Sequence, residues 1–194
     1  MPQHIKWRRH PSRSGLICWD MAQDTRRLTF VFEGWEGFHR SIVEAIRPLT
    51  ADQLAHRTTS EMRSVGEIAW HIALGRVEWF ERIGRPEAGA LLREMEPRGD
   101  EALEAAELVE WLERTWKVVE ATLERWTVDD IAATYRQPYQ GKVYAVSRQW
   151  VIWRIMAHDI YHGGQLSEIL ATIGVIPLQL TLLGGHLTEP PLAE

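Results

Sequence analysis

The chain is poor in cysteine, having only Cys18 among 194 residues. A single cysteine cannot form an internal disulfide, so we expect a cytoplasmic protein by default. Cys18 follows a segment that contains Pro, Ser and Gly and has no basic neighbours, which is typical of a structural cysteine. No Ser or Cys nucleophile motif occurs elsewhere, and this removes the main enzyme class that works without a metal.

Long apolar runs and an excess of positive charge are also missing. No run comes near the roughly 18 apolar residues that a membrane-spanning helix needs. The formal net charge is −5, which argues against binding to nucleic acid or to an anionic membrane. We therefore expect a small-molecule substrate, with neither nucleic acid nor membrane as a partner.

Tryptophan, in contrast, is abundant, with ten residues in the chain. A large aromatic core or an aromatic-lined pocket would explain them, and core and interface packing is the more common use. A single helical bundle has difficulty burying so many indoles. We therefore expect a homodimer.

Apolar residues recur at helical spacing in four segments, which predicts helices near 24–47, 64–83, 100–126 and 147–174. Ser64 and Glu67 have the spacing of a capping box, and Ser147 is a candidate cap for the fourth helix. Residues 84–100 are loop-like, and 135–146 form a possible extended segment. The pattern predicts an all-α four-helix bundle with short extra turns in its long connections, and leaves the crossing order open. Its expected bounds are 21–176, between a basic tail (1–20) and a C-terminal extension (177–194).

The fourth helix carries polar residues in the middle of its apolar face. His158 and His162 lie one turn apart, close enough to share a metal ion, and Gln165 follows. Gly163 and Gly164 stand within the helix, where each costs about 0.5–1 kcal/mol relative to alanine. We expect them to make room for a neighbouring helix or a metal. The alternative is that the histidines are core residues that hydrogen-bond backbone or water.

His71, in the middle of the second helix, together with the His-x3-His-x2-Gln pattern from His158 to Gln165, resembles the DinB superfamily, including its YfiT-like members. The resemblance covers roughly residues 24–173. It implies a four-helix bundle, commonly homodimeric, in which His71, His158 and His162 hold a divalent metal. It also implies a thiol-dependent transferase or isomerase, acting with bacillithiol, mycothiol or glutathione, or a metal-dependent hydrolase. Gly163 stands where such proteins often have arginine.

Neutral imidazoles suit transition metals, so we expect one divalent ion, zinc or nickel. Three protein ligands leave a coordination position open, which is typical of catalytic sites. A low-molecular-weight thiol is the expected cosubstrate. Gln165 and Asp159 are the candidate catalytic residues, and Arg154 and Arg148 are candidates for contacting the carboxylates of the thiol.

Two alternatives stay open. One is a metal-binding structural homodimer without turnover, which would have a closed coordination shell. The other is a zincin-like peptidase, because His158 to His162 is HExxH with Asp159 in the place of Glu. Aspartate is one methylene shorter and no downstream ligand helix follows, so Asp159 better suits holding a ligand histidine or a neighbouring helix.

Overall fold

The computed structural model of the protein describes residues 25–98 and 103–175. The predicted tail (1–20), the predicted extension (177–194) and Cys18 lie outside these residues. The predicted domain bounds therefore stay predictions.

Seven α-helices and one β-hairpin make up the described part of the chain. The helices are α1 (Leu28–Val31), α2 (Trp35–Ile46), α3 (Ala51–Ala55), α4 (Val65–Arg82), α5 (Pro86–Met95), α6 (Ala105–Arg125) and α7 (Arg148–Thr172). The strands are β1 (Thr134–Tyr139) and β2 (Lys142–Ser147), and short 3-10 turns span Glu96–Arg98 and Asp130–Ala132. Four long helices confirm the predicted bundle. None of the described helices combines the length and the apolar character needed to cross a membrane.

The four long helices α2, α4, α6 and α7 enclose one apolar core. Both α2 and α4 pack against α6 and α7, so that α2 and α4 stand at opposite corners of the bundle. Fully buried aliphatic and aromatic side chains fill the space between them, among them Ile42, Ile46, Ile72, Phe80, Leu112, Val119, Ile152 and Ile155. This packing decides the crossing order that the sequence left open.

The predicted helix starts are confirmed at α4 and α7. At α4, Ser64 Oγ accepts a hydrogen bond from the Glu67 amide at 3.2 Å, and the Glu67 carboxylate accepts one from the Ser64 amide at 2.7 Å. At α7, Ser147 Oγ accepts a hydrogen bond from the Trp150 amide at 3.1 Å. Each cap satisfies backbone N–H groups that the first turn leaves unpaired.

Three of the predicted boundaries were wrong. The segment 24–47 is not one helix, because Gly34 adopts φ 95° and separates α1 from α2, a conformation that favours glycine. Residues 84–100 are not a loop, since they contain α5, which begins at Pro86; proline is well suited to the first position of a helix. The third helix begins at Ala105, later than position 100.

The predicted extended segment is a β-hairpin. Its strands pair antiparallel in a register that joins Thr134 to Ser147 and Tyr139 to Lys142. The turn residues Gln140 and Gly141 both have positive φ, 48° and 73°, as a two-residue type I′ turn requires. The turn uses glutamine rather than the more common asparagine or aspartate, which weakens the hairpin signal in the sequence.

A buried ion pair connects all four long helices. Arg76 of α4 and Asp159 of α7 are both fully buried, and Nε and Nη2 of Arg76 donate to Asp159 Oδ2 at 3.0 and 2.8 Å. Trp35 of α2 donates from Nε1 to the same oxygen at 3.0 Å. Arg76 also donates from Nη1 to the Leu112 carbonyl of α6 at 3.2 Å. These bonds satisfy most of the polar atoms that the bundle centre takes out of water.

His39 extends this network as a neutral imidazole. Its Nδ1 lies 3.3 Å from Arg76 Nη1, which can only donate, so Nδ1 accepts and the ring proton sits on Nε2. Nε2 lies 3.4 Å from the Glu113 carboxylate, and the ring stacks on Trp116 with centroids 4.7 Å apart. Burial first, then the charges of Arg76 and Arg40, lower the pKa of His39 to about 2. His39 therefore stays neutral at physiological pH.

Breaking the ion pair from one side should destabilise the fold severely. We predict that Arg76→Met lowers the free energy of unfolding by about 3–5 kcal/mol, because it leaves the Asp159 carboxylate buried without its counter-charge. Urea denaturation measures the loss. In the double variant Arg76→Met with Asp159→Leu no charge is stranded, so we expect much of the loss to be recovered. A single variant as stable as the wild type would contradict the assigned role.

Candidate metal centre

Three histidines from two helices converge beside the ion pair. His71 comes from the middle of α4, and His158 and His162 lie one turn apart on α7. One ligand atom from each lies within 4.8 Å of the others, and Nε2 of His158 is 3.2 Å from Nε2 of His71. His71 and His158 are half-buried and His162 is buried. The sequence predicted this grouping, and the packing of α4 on α7 brings it about.

The geometry fits a metal ion. Two nitrogens that bind the same tetrahedral zinc ion at 2.0–2.1 Å lie roughly 3.3 Å apart, close to the distance between the Nε2 atoms of His71 and His158. In the described part of the chain, no Cys, Asp, Glu or further His joins this group. The arrangement can therefore supply three neutral nitrogen ligands and leave a position for a ligand from solvent.

Gln165 sets the tautomer of His162. The Gln165 side-chain oxygen lies 2.6 Å from His162 Nδ1, and an amide oxygen can only accept, so the His162 proton sits on Nδ1. His162 Nε2 is left with its lone pair. Gln165 is in turn held by Tyr161, whose hydroxyl accepts from Gln165 Nε2 at 3.3 Å. This is how outer residues commonly orient metal-binding histidines.

His158 and Asp159 carry two buried atoms that lack a hydrogen-bond partner, Nδ1 and Oδ1 respectively. These atoms lie 3.9 Å apart. A shift of about 1 Å would form an Nδ1–H···Oδ1 hydrogen bond, which would leave His158 Nε2 free to bind a metal. Both orphaned atoms thus fit a site in which the imidazole moves slightly when an ion enters.

The surroundings keep His71 and His162 neutral. Burial lowers the pKa of His71 to about 4, and the charges of Arg63, His158 and His162 act in the same direction. Burial also lowers the pKa of His162, with smaller contributions from His158 and Arg63, against the opposing hydrogen bond to Gln165. Only a neutral imidazole can bind a metal. One ring nitrogen of His71 and one of His162 are therefore available to bind a metal at physiological pH.

Gly75 makes room for the His158 ring. A Cβ atom built on Gly75 would lie 2.8 Å from His158 Cε1 and 3.2 Å from Nε2, too close for any other residue without a shift of the ring. Gly164, by contrast, would place a Cβ with nothing within 4 Å. Within the described chain no neighbouring helix therefore requires a small residue at Gly164, whereas the His158 ring requires one at Gly75.

The remaining predicted site residues lie at different distances from the histidines. Asp159 adjoins His158 but faces Arg76. Arg154 lies one turn from His158, where its guanidinium covers Trp79, with 4.8 Å from Cζ to the ring centroid. Arg148 stands ten residues before His158, about 15 Å along the helix axis, where it packs on Trp126. The structure does not bring Arg148 to the centre.

Sequence analysis missed Arg63, Gly75 and Arg76. The charge of Arg63, in the loop before α4, helps to lower the pKa of both His71 and His162. A lone arginine in a loop carries no sequence signal for this. Gly75 and Arg76 did carry a signal in the sequence, because both lie within an apolar helix about one turn after His71.

Fold and site together define a helical-bundle protein with a three-histidine centre suited to a divalent metal. The model of the DinB family matches residues 21–191. The chain belongs to the DinB family, which confirms the resemblance predicted from the histidine pattern.

Two solved structures share the fold. A DinB-like protein of Bacillus cereus ATCC 10987 is 15% identical, with a TM-score of 0.57, over 87% of this chain and 99% of its own. A DinB-like protein of Bacillus subtilis is 17% identical, with a TM-score of 0.54, over 75% of this chain and 92% of its own. No curated protein matches the chain.

The two glycines provide a matched pair of substitutions. We predict that Gly75→Ala weakens metal binding at least about tenfold, because the new methyl group displaces His158. Gly164→Ala should leave metal affinity unchanged, because a Cβ atom at this position has nothing within 4 Å. Competition with a chelating indicator measures affinity. Equal metal affinities of the two variants would contradict this account of the site.

Proposed function

We propose that the protein is a metal-dependent enzyme in which His71, His158 and His162 hold one divalent transition ion, zinc or nickel. The observation that carries this proposal is the approach of three imidazoles within 4.8 Å, with no fourth protein ligand among the described residues. A divalent ion held in this way acts as a Lewis acid that lowers the pKa of a bound water or thiol. The proposed reaction is therefore a thiol-dependent transfer or a hydrolysis.

In this proposal some residues bind the ion and others position the residues that bind it. The three histidines bring no negative charge to the centre, so a bound ion keeps its charge of +2 and favours an anionic ligand such as a thiolate. Gln165 contacts His162, and Asp159 forms an ion pair with Arg76. Both therefore act as positioning residues rather than as proton carriers. Arg63 adds positive charge near His71 and His162, which favours an anionic cosubstrate or product.

The two alternatives have less support. A zincin-like peptidase would need Asp159 to reach a water molecule at the ion, but this carboxylate is fully buried and paired with Arg76. A closed structural centre would need a fourth ligand. No His, Cys, Asp or Glu in the described ranges supplies one.

Metal analysis and cobalt spectroscopy test the proposal. We predict about one divalent ion per chain, and its loss in His162→Ala, because two imidazoles bind far more weakly than three. His56→Ala is the matched control, since His56 contacts Thr172 instead and should leave the ion in place. The visible spectrum of the cobalt protein should change when a small thiol is added.

A cobalt spectrum that ignores thiol, azide and pH would mean a closed shell and a structural role. Full metal occupancy in His162→Ala would remove the assigned ligand set. Activity with several low-molecular-weight thiols then separates a transferase from a hydrolase, which needs no thiol.

We also propose that the chain forms a homodimer through the outer face of α7. Trp153 and Ile160 are 55% and 50% exposed, and they alternate along one helical stripe with the small residues Ala157 and Gly164. No charged residue interrupts this stripe between positions 153 and 164. Small residues beside large apolar ones let a second helix approach closely, and Gly164 has open space on this side.

Light scattering tests the dimer. We predict a mass near twice the 22.4 kDa of one chain, and a shift toward the monomer in Ile160→Glu, because a charge on an apolar interface loses its hydration. Val143→Glu on the hairpin, also exposed, is the control and should leave the mass unchanged. A wild-type protein that stays monomeric at high concentration would rule out the dimer.

A further inference from the structure

An open groove lined by aromatic residues and arginines lies one turn of α7 before His158. It lies between the end of α4, the hairpin and the start of α7, and has a volume of about 760 Å³. Its walls include Trp79, Trp150, Tyr144 and Gln137, together with Arg82 and Arg154. Clefts of 300–1,000 Å³ with apolar walls and a few polar groups are typical of small-molecule sites.

The charge of the groove is positive in an acidic protein. The chain has a net charge of −5, yet two arginines and no Asp or Glu line the groove. Cζ of Arg82 lies 4.4 Å from the Trp79 ring centroid, and Cζ of Arg154 lies 4.8 Å from the same centroid. The two arginines, which already lie over the Trp79 ring, would repel a cationic ligand. An anion is the complementary ligand, because planar guanidinium groups match carboxylates.

The walls favour a flat apolar body attached to that anion. Trp79 and Trp150 lie with ring centroids 5.4 Å apart at an angle of 56°, and Tyr139 and Tyr144 are 60% and 45% exposed on the hairpin. Because Arg82 and Arg154 already cover Trp79, an aromatic ring of the ligand would pack on the exposed tyrosines in an offset or edge-on arrangement. Inorganic phosphate or sulfate would use the arginines but leave the aromatic walls exposed to water.

Tyr135 provides a further polar group on the same side of the hairpin. It is on the same strand face as Gln137 and Tyr139, two positions apart each time. Its hydroxyl is buried without a hydrogen-bond partner. Burial raises the pKa of Tyr135, and the charges of Arg82 and Arg154 act against this rise. A protonated phenol can donate a hydrogen bond to an anion.

The groove adjoins the metal centre along both helices. Arg154 is one turn from His158 on α7, and Trp79 is one turn from Gly75 on α4, each step being about 6 Å along the helix axis. A molecule bound through its carboxylate at the arginines would thus lie next to the histidines. We propose that this groove binds an aromatic carboxylate, and that this is the substrate class of the enzyme. The assignment as substrate rests on the proposed function, whereas binding itself does not need the metal.

Binding of 2-naphthoate, followed by calorimetry and by quenching of tryptophan fluorescence, tests the proposal. We expect saturable binding at one site per chain. The neutral analogue 2-naphthalenemethanol, which keeps the rings but lacks the charge, should bind at least about tenfold more weakly, because it cannot form charge-assisted hydrogen bonds. Equal binding of the two compounds, or no binding of 2-naphthoate at millimolar concentration, would overturn the proposal.

Variants locate the site. Arg82→Met with Arg154→Met should weaken binding of 2-naphthoate at least about tenfold while thermal unfolding changes little, because both side chains are exposed. Arg148→Met is the matched control, since that arginine packs on Trp126 outside the groove, and it should bind as the wild type does. Unchanged binding in the double variant would place the ligand elsewhere and overturn the proposal.

The metal-free His162→Ala protein separates this proposal from the proposed function. It should still bind 2-naphthoate with an affinity within a few-fold of that of the wild type, because the groove residues are intact. If the wild type holds no metal but binds 2-naphthoate, the proposed function fails and the groove assignment stands. Loss of binding in every metal-free protein would mean that the ion itself captures the carboxylate, and the groove assignment would be wrong.

Discussion

The ion pair between Arg76 and Asp159 is the constraint on which the rest of the structure depends. Two fully buried opposite charges are tolerated only if each stays hydrogen-bonded, because their desolvation costs several kcal/mol for each ion. Trp35 and the Leu112 carbonyl add hydrogen bonds to Asp159 Oδ2 and Arg76, so α2, α4, α6 and α7 must meet at one level. A slip of one turn between α4 and α7 would strand both charges.

The alignment of α4 with α7 that this ion pair requires also positions the histidines of the candidate metal centre. Asp159 directly follows His158 on α7, and Arg76 directly follows Gly75 on α4. Aligning the charged pair therefore aligns the His158 ring with Gly75, where a side chain would collide with it. Burial in the same region keeps His71 neutral by lowering its pKa to about 4. The packing of α4 on α7 thus positions the His158 ring, leaves space for it and keeps His71 neutral.

Local sequence patterns predicted the helices best where strong caps begin long apolar periods, as at Ser64 and Ser147. They failed where the backbone changes direction without such a signal. Gly34 interrupts the first helix by adopting a positive φ, and α5 lies within the stretch 84–100, whose three glycines and two prolines are typical of loops. The hairpin turn depends on Gln140 in a left-handed conformation, which glutamine adopts less readily than asparagine.

The sequence by itself determined the bundle class and the pair His158 and His162, because helical periodicity and the spacing of one turn are local properties. His71 was added to this pair through the resemblance to the DinB superfamily. Only the tertiary structure decided what surrounds those histidines. Gln165 hydrogen-bonds His162, and Asp159 pairs with a residue 83 positions away. The aromatic groove likewise joins α4 to a hairpin that is far from it in sequence. Such contacts depend on which helix faces meet, and helical periodicity alone does not specify that.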